Sequence, residues 1–260
     1  MNFETITLKI EHRIATIRLN RPEKHNALNP LMIEELTQVF DTLKDNEAIR
    51  VILLKGNGLS FCSGADLNYM REIASFGEAE NLADASKLAT LFYDIFLCPK
   101  VVVAVVHGNV FGGANGLTAA CDMVLADENT QFAFTEVKMG ITPATISPYI
   151  IRRCGATIAA ELMLTARKFT AQEAEKYHLV NATFTYETKT DVEQFYVNHL
   201  LAAAPNALAS CKKLIRTVAS LPQEETFSYT VETIAKQRGL DEGIEGMSAF
   251  LEKRKPKWMV

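Results

Sequence analysis

Apolar residues alternate with polar ones at Ile6, Leu8 and Ile10, and again at Ala15, Ile17 and Leu19 beyond the polar break Glu11-His12-Arg13. A period of two on both sides of a short turn predicts a β-hairpin. Asn29 before Pro30 then offers a helix N-cap with proline at the first helical position. Leu36, Val39, Phe40 and Leu43 continue that helical stripe. Residues 51–54 read as a short apolar strand, ended by the turn Gly56-Asn57-Gly58. Beyond a loop at 61–66, helical sequence begins at Leu67 and runs to Leu97, with a break near Gly77.

The run VVVAVV at 101–106, bounded by Lys100 and His107, has no polar face and predicts a strand covered on both sides. A glycine-rich segment leads from it into helix-compatible sequence at 117–121, and two short strands at 123–126 and 131–134 flank a turn at Glu128-Asn129. From Pro148 the pattern is almost entirely helical, with Pro205 and Pro222 marking helix starts. Strands mixed with helices, followed by helices alone, predict an α/β core with a helical C-terminal extension. The division falls between residues 190 and 205, with no low-complexity linker and no clear internal repeat.

At 260 residues, 48% hydrophobic and 22% charged, the chain is long enough for one large domain or two small ones and is not mainly disordered. A formal net charge of −4 argues against general binding to a phosphate backbone, so no nucleic-acid partner is expected. The longest purely apolar run, 101–106, is far below the ~20 residues that cross a bilayer, and MNFETITLKI reads as no signal peptide. No membrane association is expected. Five cysteines without a CxxC pair suit neither a disulfide scaffold nor a zinc ribbon; they read as buried free thiols in a reducing cytoplasm.

Two loops carry candidate chemistry: FCSGAD at 61–66 and GNVFGGANG at 108–116, each between a strand and a helix. Small residues permit close backbone approach, and a helix starting there presents free N–H groups and the positive end of its dipole. Two such loops brought together can hold one oxygen between two backbone donors and stabilise charge developing on a carbonyl. Taken singly, each loop could equally be a tight turn with no ligand. Neither fits GxGxxG, and GxxxxGK[ST], HExxH and GxSxG are all missing from the sequence.

Five segments stand in one order: NRPEKHNAL at 20–28, FCSGADL at 61–67, HGNVFGGA at 107–114 with Cys121-Asp122, FTE at 134–136 with Gly140 and Pro143, and GMSAFLEKRK at 246–255. Together they resemble the crotonase family of enoyl-CoA hydratases and isomerases. The resemblance implies a crotonase-like ββα spiral core over residues 1–195 that holds the CoA and catalytic site. It implies a helical C-terminal oligomerisation region over 196–260, and a homotrimer or a dimer of trimers. It further implies that the backbone N–H groups of Ala65 and Gly113 form an oxyanion hole for an acyl-CoA thioester, with Glu136 as the catalytic carboxylate. Lys24, Ala27, Asp66 and Leu67 resemble CoA contacts, and Phe250 and Lys253 resemble residues lent by a neighbouring subunit. CoA is part of the substrate, so no separate cofactor and no metal are expected.

Family hydratases use two glutamates, and the position of the first is Gly116 here. A single carboxylate with a raised pKa can take and return a proton, which serves double-bond isomerisation and hydration alike. Asn115 or an ordered water remains to assist it. The segments at 111–117 and 135–148 resemble the bacterial methylglutaconyl-CoA hydratase branch. That resemblance implies reversible addition of water to 3-methylglutaconyl-CoA, giving 3-hydroxy-3-methylglutaryl-CoA in leucine breakdown. Lys138, Arg152 and Arg153 are the nearest basic residues for the substrate's free carboxylate. A single-glutamate isomerase and a non-catalytic CoA-binding trimer are the alternatives that Gly116 leaves open. His107 reads as a structural hydrogen-bonder, and His25 as either a groove or a turn residue. Tyr69, Met70, Phe76 and Phe92 read as acyl-pocket or core residues.

Overall fold

Hydrogen bonding between strands whose two faces are both apolar organises the chain. The computed structural model describes residues 3–259. β1 (Ile6–Glu11) and β2 (Ile14–Leu19) form the antiparallel hairpin that alternation predicts, with Ile6 opposite Leu19. α1 (Pro30–Lys44) starts at its predicted cap, where Met32 N donates to Asn29 Oδ1 at 3.0 Å. It returns the chain to β3 (Val51–Gly56), parallel to β2. α2 (Leu67–Ile73) and α3 (Glu78–Leu97) divide at Gly77 and lead to β4 (Val101–Val106), parallel to β3.

Next come β5 (Asn109–Phe111), α4 (Gly113–Ala120), β6 (Met123–Asp127) and β7 (Gln131–Ala133). α5 (Ser147–Thr165) is kinked at Gly155, and β8 (Phe169–Thr170), α6 (Ala171–Lys176) and β9 (Ala182–Phe184) follow it. The chain closes with α7 (Lys189–Ala202), α8 (Pro205–Val218), α9 (Gln223–Gly239) and α10 (Asp241–Leu251). One sheet runs β1-β2-β3-β4-β6-β9 and a second runs β5-β7-β8.

The valine run is buried on both faces, and the period of two sorts its residues between two cores. Ile52, Leu54, Val102, Ala104 and Val106 join the large core with α1, α3 and α4. Val51, Leu53, Val101, Val103 and Val105 face the other way, onto Val197 and Leu200 of α7. The division expected after residue 195 therefore falls inside a helix that covers the sheet.

Three local readings need correction. α4 begins at Gly113, four residues before the helical sequence suggested, because glycine lowers helix propensity where backbone approach requires it. β6 and β7 flank one turn but belong to different sheets. β5, β8 and β9 were not foreseen; strands of two or three residues show no periodicity.

The C-terminal helices are fastened to the core by a buried cation. Lys212 of α8 is 8% exposed; its Nζ donates to Cys98 O at 2.7 Å and Lys100 O at 2.6 Å, and lies 2.6 Å from Asp122 Oδ2. The same Asp122 oxygen accepts from Val102 N, so the Cys121-Asp122 motif ties β4, α4 and α8 together. Lys212→Met is expected to destabilise the protein by about 2–4 kcal/mol, the low side of a broken buried pair because Asp122 keeps some solvent. The urea midpoint at fixed protein concentration measures it, and an unchanged midpoint would show that α8 is held without this cation, by contacts such as Arg216 on Phe96 O.

Candidate active site

The two small-residue loops are laced together along their length. Phe61 N donates to His107 O at 2.8 Å, Cys62 N to Asn109 O at 3.1 Å and Phe111 N to Cys62 O at 3.2 Å, which makes a parallel bridge between Cys62 and Val110. Leu28 forms the same pattern on the next residues. Its N–H donates to Gly64 O at 2.7 Å and its carbonyl accepts from Asp66 N at 2.8 Å, bridging Leu28 to Ala65. Within such a bridge the middle residue's own N–H faces away from the partner segment. Ala65 N–H accordingly has no acceptor among the described residues. Gly113 opens α4, and its N–H also lacks one. Leu28 touches both sides, since a Cβ at Gly113 would lie 3.4 Å from Leu28 Cδ1.

Gly112 sets the direction of the second donor. Its φ of 52° and ψ of −126° fall where side chains are strained, and its N–H donates to Ala133 O at 2.9 Å. A Cβ there would stand 3.5 Å from Glu136 Oε1, so the carboxylate lies against the Gly112-Gly113 turn. Glu136 heads a short 3-10 turn held by Ile141 N donating to Glu136 O at 3.2 Å. The side chain is 8% exposed, and Oε2 is buried with no hydrogen-bond partner among the described residues. Burial pushes this carboxyl above its ordinary value of 4.5, opposed only by its own backbone N–H. A half-desolvated carboxylate beside two free N–H donors can exchange a proton with an acyl group whose carbonyl oxygen those donors hold.

No second carboxylate fits at Gly116. A Cβ there would lie 2.5 Å from Ile146 Cγ2 and 2.6 Å from the Phe92 ring, so aliphatic and aromatic carbon already fill that space. Phe92 is fully buried and meets Tyr149 edge-on at 6.2 Å. Tyr69 OH donates to Asp84 Oδ1 at 2.5 Å, which links α2 to α3 beside the loop.

The other candidates divide by what already holds them. Ala27 is buried and its carbonyl accepts from Arg21 Nη1 at 2.7 Å. Asp66 caps α2 by accepting from Asn68 N and pairs with Arg21 Nη2 at 2.8 Å, an anchor that sequence reasoning missed in Arg21. Lys24, in the turn before α1, and Leu67, at the start of α2, are both exposed. Phe250 and Lys253 are exposed at the end of α10, a helix that packs on α9 and α8. No hydrogen bond joins either side chain to the two loops among the described residues.

Several side chains put forward as helpers are engaged in structure. Lys138 Nζ donates to Ala166 O at 2.7 Å, and Arg153 donates to Ala119 O at 3.1 Å and Cys121 O at 2.6 Å, capping the end of α4. Arg152 lies over the Phe96 ring at 5.3 Å. The Asn115 amide donates to three backbone carbonyls and so has no N–H left for Glu136. His107 bonds Gly58 O at 2.8 Å, as its place after the strand suggested, and His25 sits in a left-handed turn against Ser60. The buried-thiol reading holds for Cys62, Cys98 and Cys121 but not for Cys154, which is half-buried, or Cys211, which is exposed; all five cysteines are free.

Known proteins share this chain's sequence pattern and fold at the level of the whole chain. Residues 9–260 match the family described as enoyl-CoA hydratase/isomerase. The chain is 31% identical to the carnitinyl-CoA dehydratase of Escherichia coli O157:H7 over 98% of both chains. An enoyl-CoA hydratase from Shewanella pealeana superposes with a TM-score of 0.95 at 37% identity, covering 98% of this chain and 96% of that one. AtuE of Pseudomonas aeruginosa does so with a TM-score of 0.95 at 32% identity, over 99% of this chain and 100% of that one. With loops, glycine turn and buried glutamate in this arrangement, the chain belongs to the enoyl-CoA hydratase/isomerase family and has the crotonase fold.

Proposed function

We propose that the protein adds water reversibly to an enoyl-CoA, and that its substrate pair is 3-methylglutaconyl-CoA and 3-hydroxy-3-methylglutaryl-CoA. The observation that carries the reading is Glu136, a buried carboxylate with an unpartnered oxygen beside the free N–H of Gly113. The acyl group is drawn from the resemblance of residues 111–117 and 135–148 to the methylglutaconyl-CoA hydratase branch.

Ionised Glu136 takes a proton from water as the oxygen attacks the β-carbon. The thioester carbonyl becomes an enolate whose oxygen accepts from Ala65 N–H and Gly113 N–H. Glu136 then returns its proton to the α-carbon, so one carboxylate serves both steps and the elements of water are all accounted for. Losing one such backbone donor typically costs about 10²–10³ in rate. Lys24, Ala27, Asp66 and Leu67 line the CoA in this reading, with Phe250 and Lys253 supplied by a neighbour in a homotrimer or dimer of trimers. The exposed apolar groups Phe227, Phe250 and Leu251 on α9 and α10 support such an assembly. The reading calls on no cofactor besides the substrate's CoA, and it places the protein in the cytoplasm.

Phe92 and Ile146 at the Gly116 position favour a second reading, a double-bond isomerase, because that reaction needs one base and no held water. Product analysis separates the two: a hydroxyacyl-CoA supports hydration, and a shifted double bond supports isomerisation.

Purified protein is expected to hydrate 3-methylglutaconyl-CoA strongly and crotonyl-CoA weakly. Glu136→Gln lowers kcat by about 10²–10⁴. The acid limb of kcat/KM lies above 4.5, since burial raises this carboxyl and the rate climbs with its ionisation. A fully active Glu136→Gln protein would remove Glu136 from the mechanism.

Stability moves the opposite way. Folded Glu136 keeps its proton to higher pH than the unfolded chain, so folding binds a proton in the window above 4.5 and stability falls as pH rises through it. Glu136→Gln is therefore expected to raise the Tm at pH 7 by roughly 2–4 °C, about 1 kcal/mol in a chain of this size. The gain closes as pH falls to 4.5; a variant less stable than wild type at pH 7 would contradict a destabilising buried charge.

A further inference from the structure

Asn115 is 2% exposed and lies in the first turn of α4, and its side chain points back at the loop that precedes the helix. Its Nδ2 lies 3.2 Å from Val110 O, 3.1 Å from Gly112 O and 2.9 Å from Ala133 O. Three acceptors around one side-chain end fix the amide's orientation, since only the NH₂ can face carbonyl oxygens. Each carbonyl belongs to a different part of the site. Val110 is in β5, Gly112 is the turn before α4, and Ala133 ends β7 three residues before Glu136.

We propose that Asn115 is the positioning residue that sets the direction of the Gly113 N–H and its separation from Glu136. The carbonyl of Gly112 and the N–H of Gly113 share one planar peptide and point in opposite directions, so holding one holds the other. Gly112 O receives two donors, Asn115 Nδ2 at 3.1 Å and Asn115 N at 2.9 Å. Donors on that oxygen also polarise the shared peptide and strengthen its N–H as a donor. Gly112 needs this hold more than any other residue type would, because glycine confines its own backbone least. The second arm runs to Ala133 O, which also accepts from Gly112 N at 2.9 Å. One amide thus links the oxyanion turn to the strand that delivers the carboxylate. Its catalytic consequence rests on the functional reading above; the clamp itself does not.

The test compares wild type with Asn115→Ala and with Asn115→Asp, which keeps the shape but replaces the donor by an acceptor. Ligand-free protein labelled with ¹⁵N at its 13 glycines reports amide exchange residue by residue. Exchange at Gly112 is expected to accelerate at least tenfold in both variants while the strand residue Gly56 keeps its wild-type rate. On 3-methylglutaconyl-CoA, kcat is expected to fall about 10²-fold with KM within about threefold, the signature of a misplaced group rather than lost binding. If either variant aggregates, Asn115→Ser, whose hydroxyl donates to one carbonyl only, carries the same comparison. Wild-type exchange at Gly112 overturns the proposal, and so does a uniform rise across all glycines, which reports lost global stability. Wild-type kcat in the variants overturns the catalytic part. A wild-type protein inert toward enoyl-CoA sinks the functional reading, while Gly112 exchange still decides the clamp.

Discussion

The parallel pairing of residues 61–66 with 109–111 on one side and with Leu28 on the other is the constraint on which the site depends. A strand-like bridge uses the hydrogen-bonding groups on one edge of each segment and turns the rest outward. Here that geometry leaves Ala65 N–H without an acceptor, while the helix start at Gly113 does the same for a second donor. Ala65 is exposed and Gly113 half-buried, so a ligand oxygen can reach both N–H groups, neither of which has an acceptor among the described residues. The loops can run this close because the buried strands β3 and β4 are in register and deliver them side by side.

In the proposed function Glu136 gives up stability for chemistry. A carboxylate with one oxygen sealed and unpartnered is a poor contributor to folding at neutral pH, and among the described residues no cation relieves it. The same lack of partners keeps its proton exchangeable. Phe92 and Ile146 fill the space at Gly116 and leave no room there for a second acid. Asn115, Lys138 and Arg153, the polar groups put forward as helpers, are each held by backbone carbonyls, so in the proposed function the proton work falls to one side chain.

Much of this was legible before the structure. The valine run announced a doubly covered strand, and the hairpin, the Asn29 cap and the helix break at Gly77 all stand where pattern and cap chemistry put them. The family was legible from five ordered motifs, and the two loops from their small residues. What escaped was whatever depends on contacts distant in sequence. β5, β8 and β9 are too short for periodicity and exist only because a neighbouring strand pairs with them. The pairing of Asp66 with Arg21, 45 residues away, left no local signal. Lys212, a solvent residue on composition alone, is buried because Asp122 and two carbonyls meet it. Asn115 carried one faint signal, a side chain amid glycines where none was required for the turn.

The proposed function turns on an enolate whose oxygen is held by two backbone donors and whose α-carbon is protonated by Glu136. Hydrogen exchange at that carbon reads it most directly. 3-Hydroxy-3-methylglutaryl-CoA incubated with the protein in heavy water is predicted to take up deuterium at the carbon next to the thioester, seen by mass spectrometry, and to take up none with Glu136→Gln. Deuterium uptake that persists in Glu136→Gln, or its absence from wild-type incubations, would contradict the account.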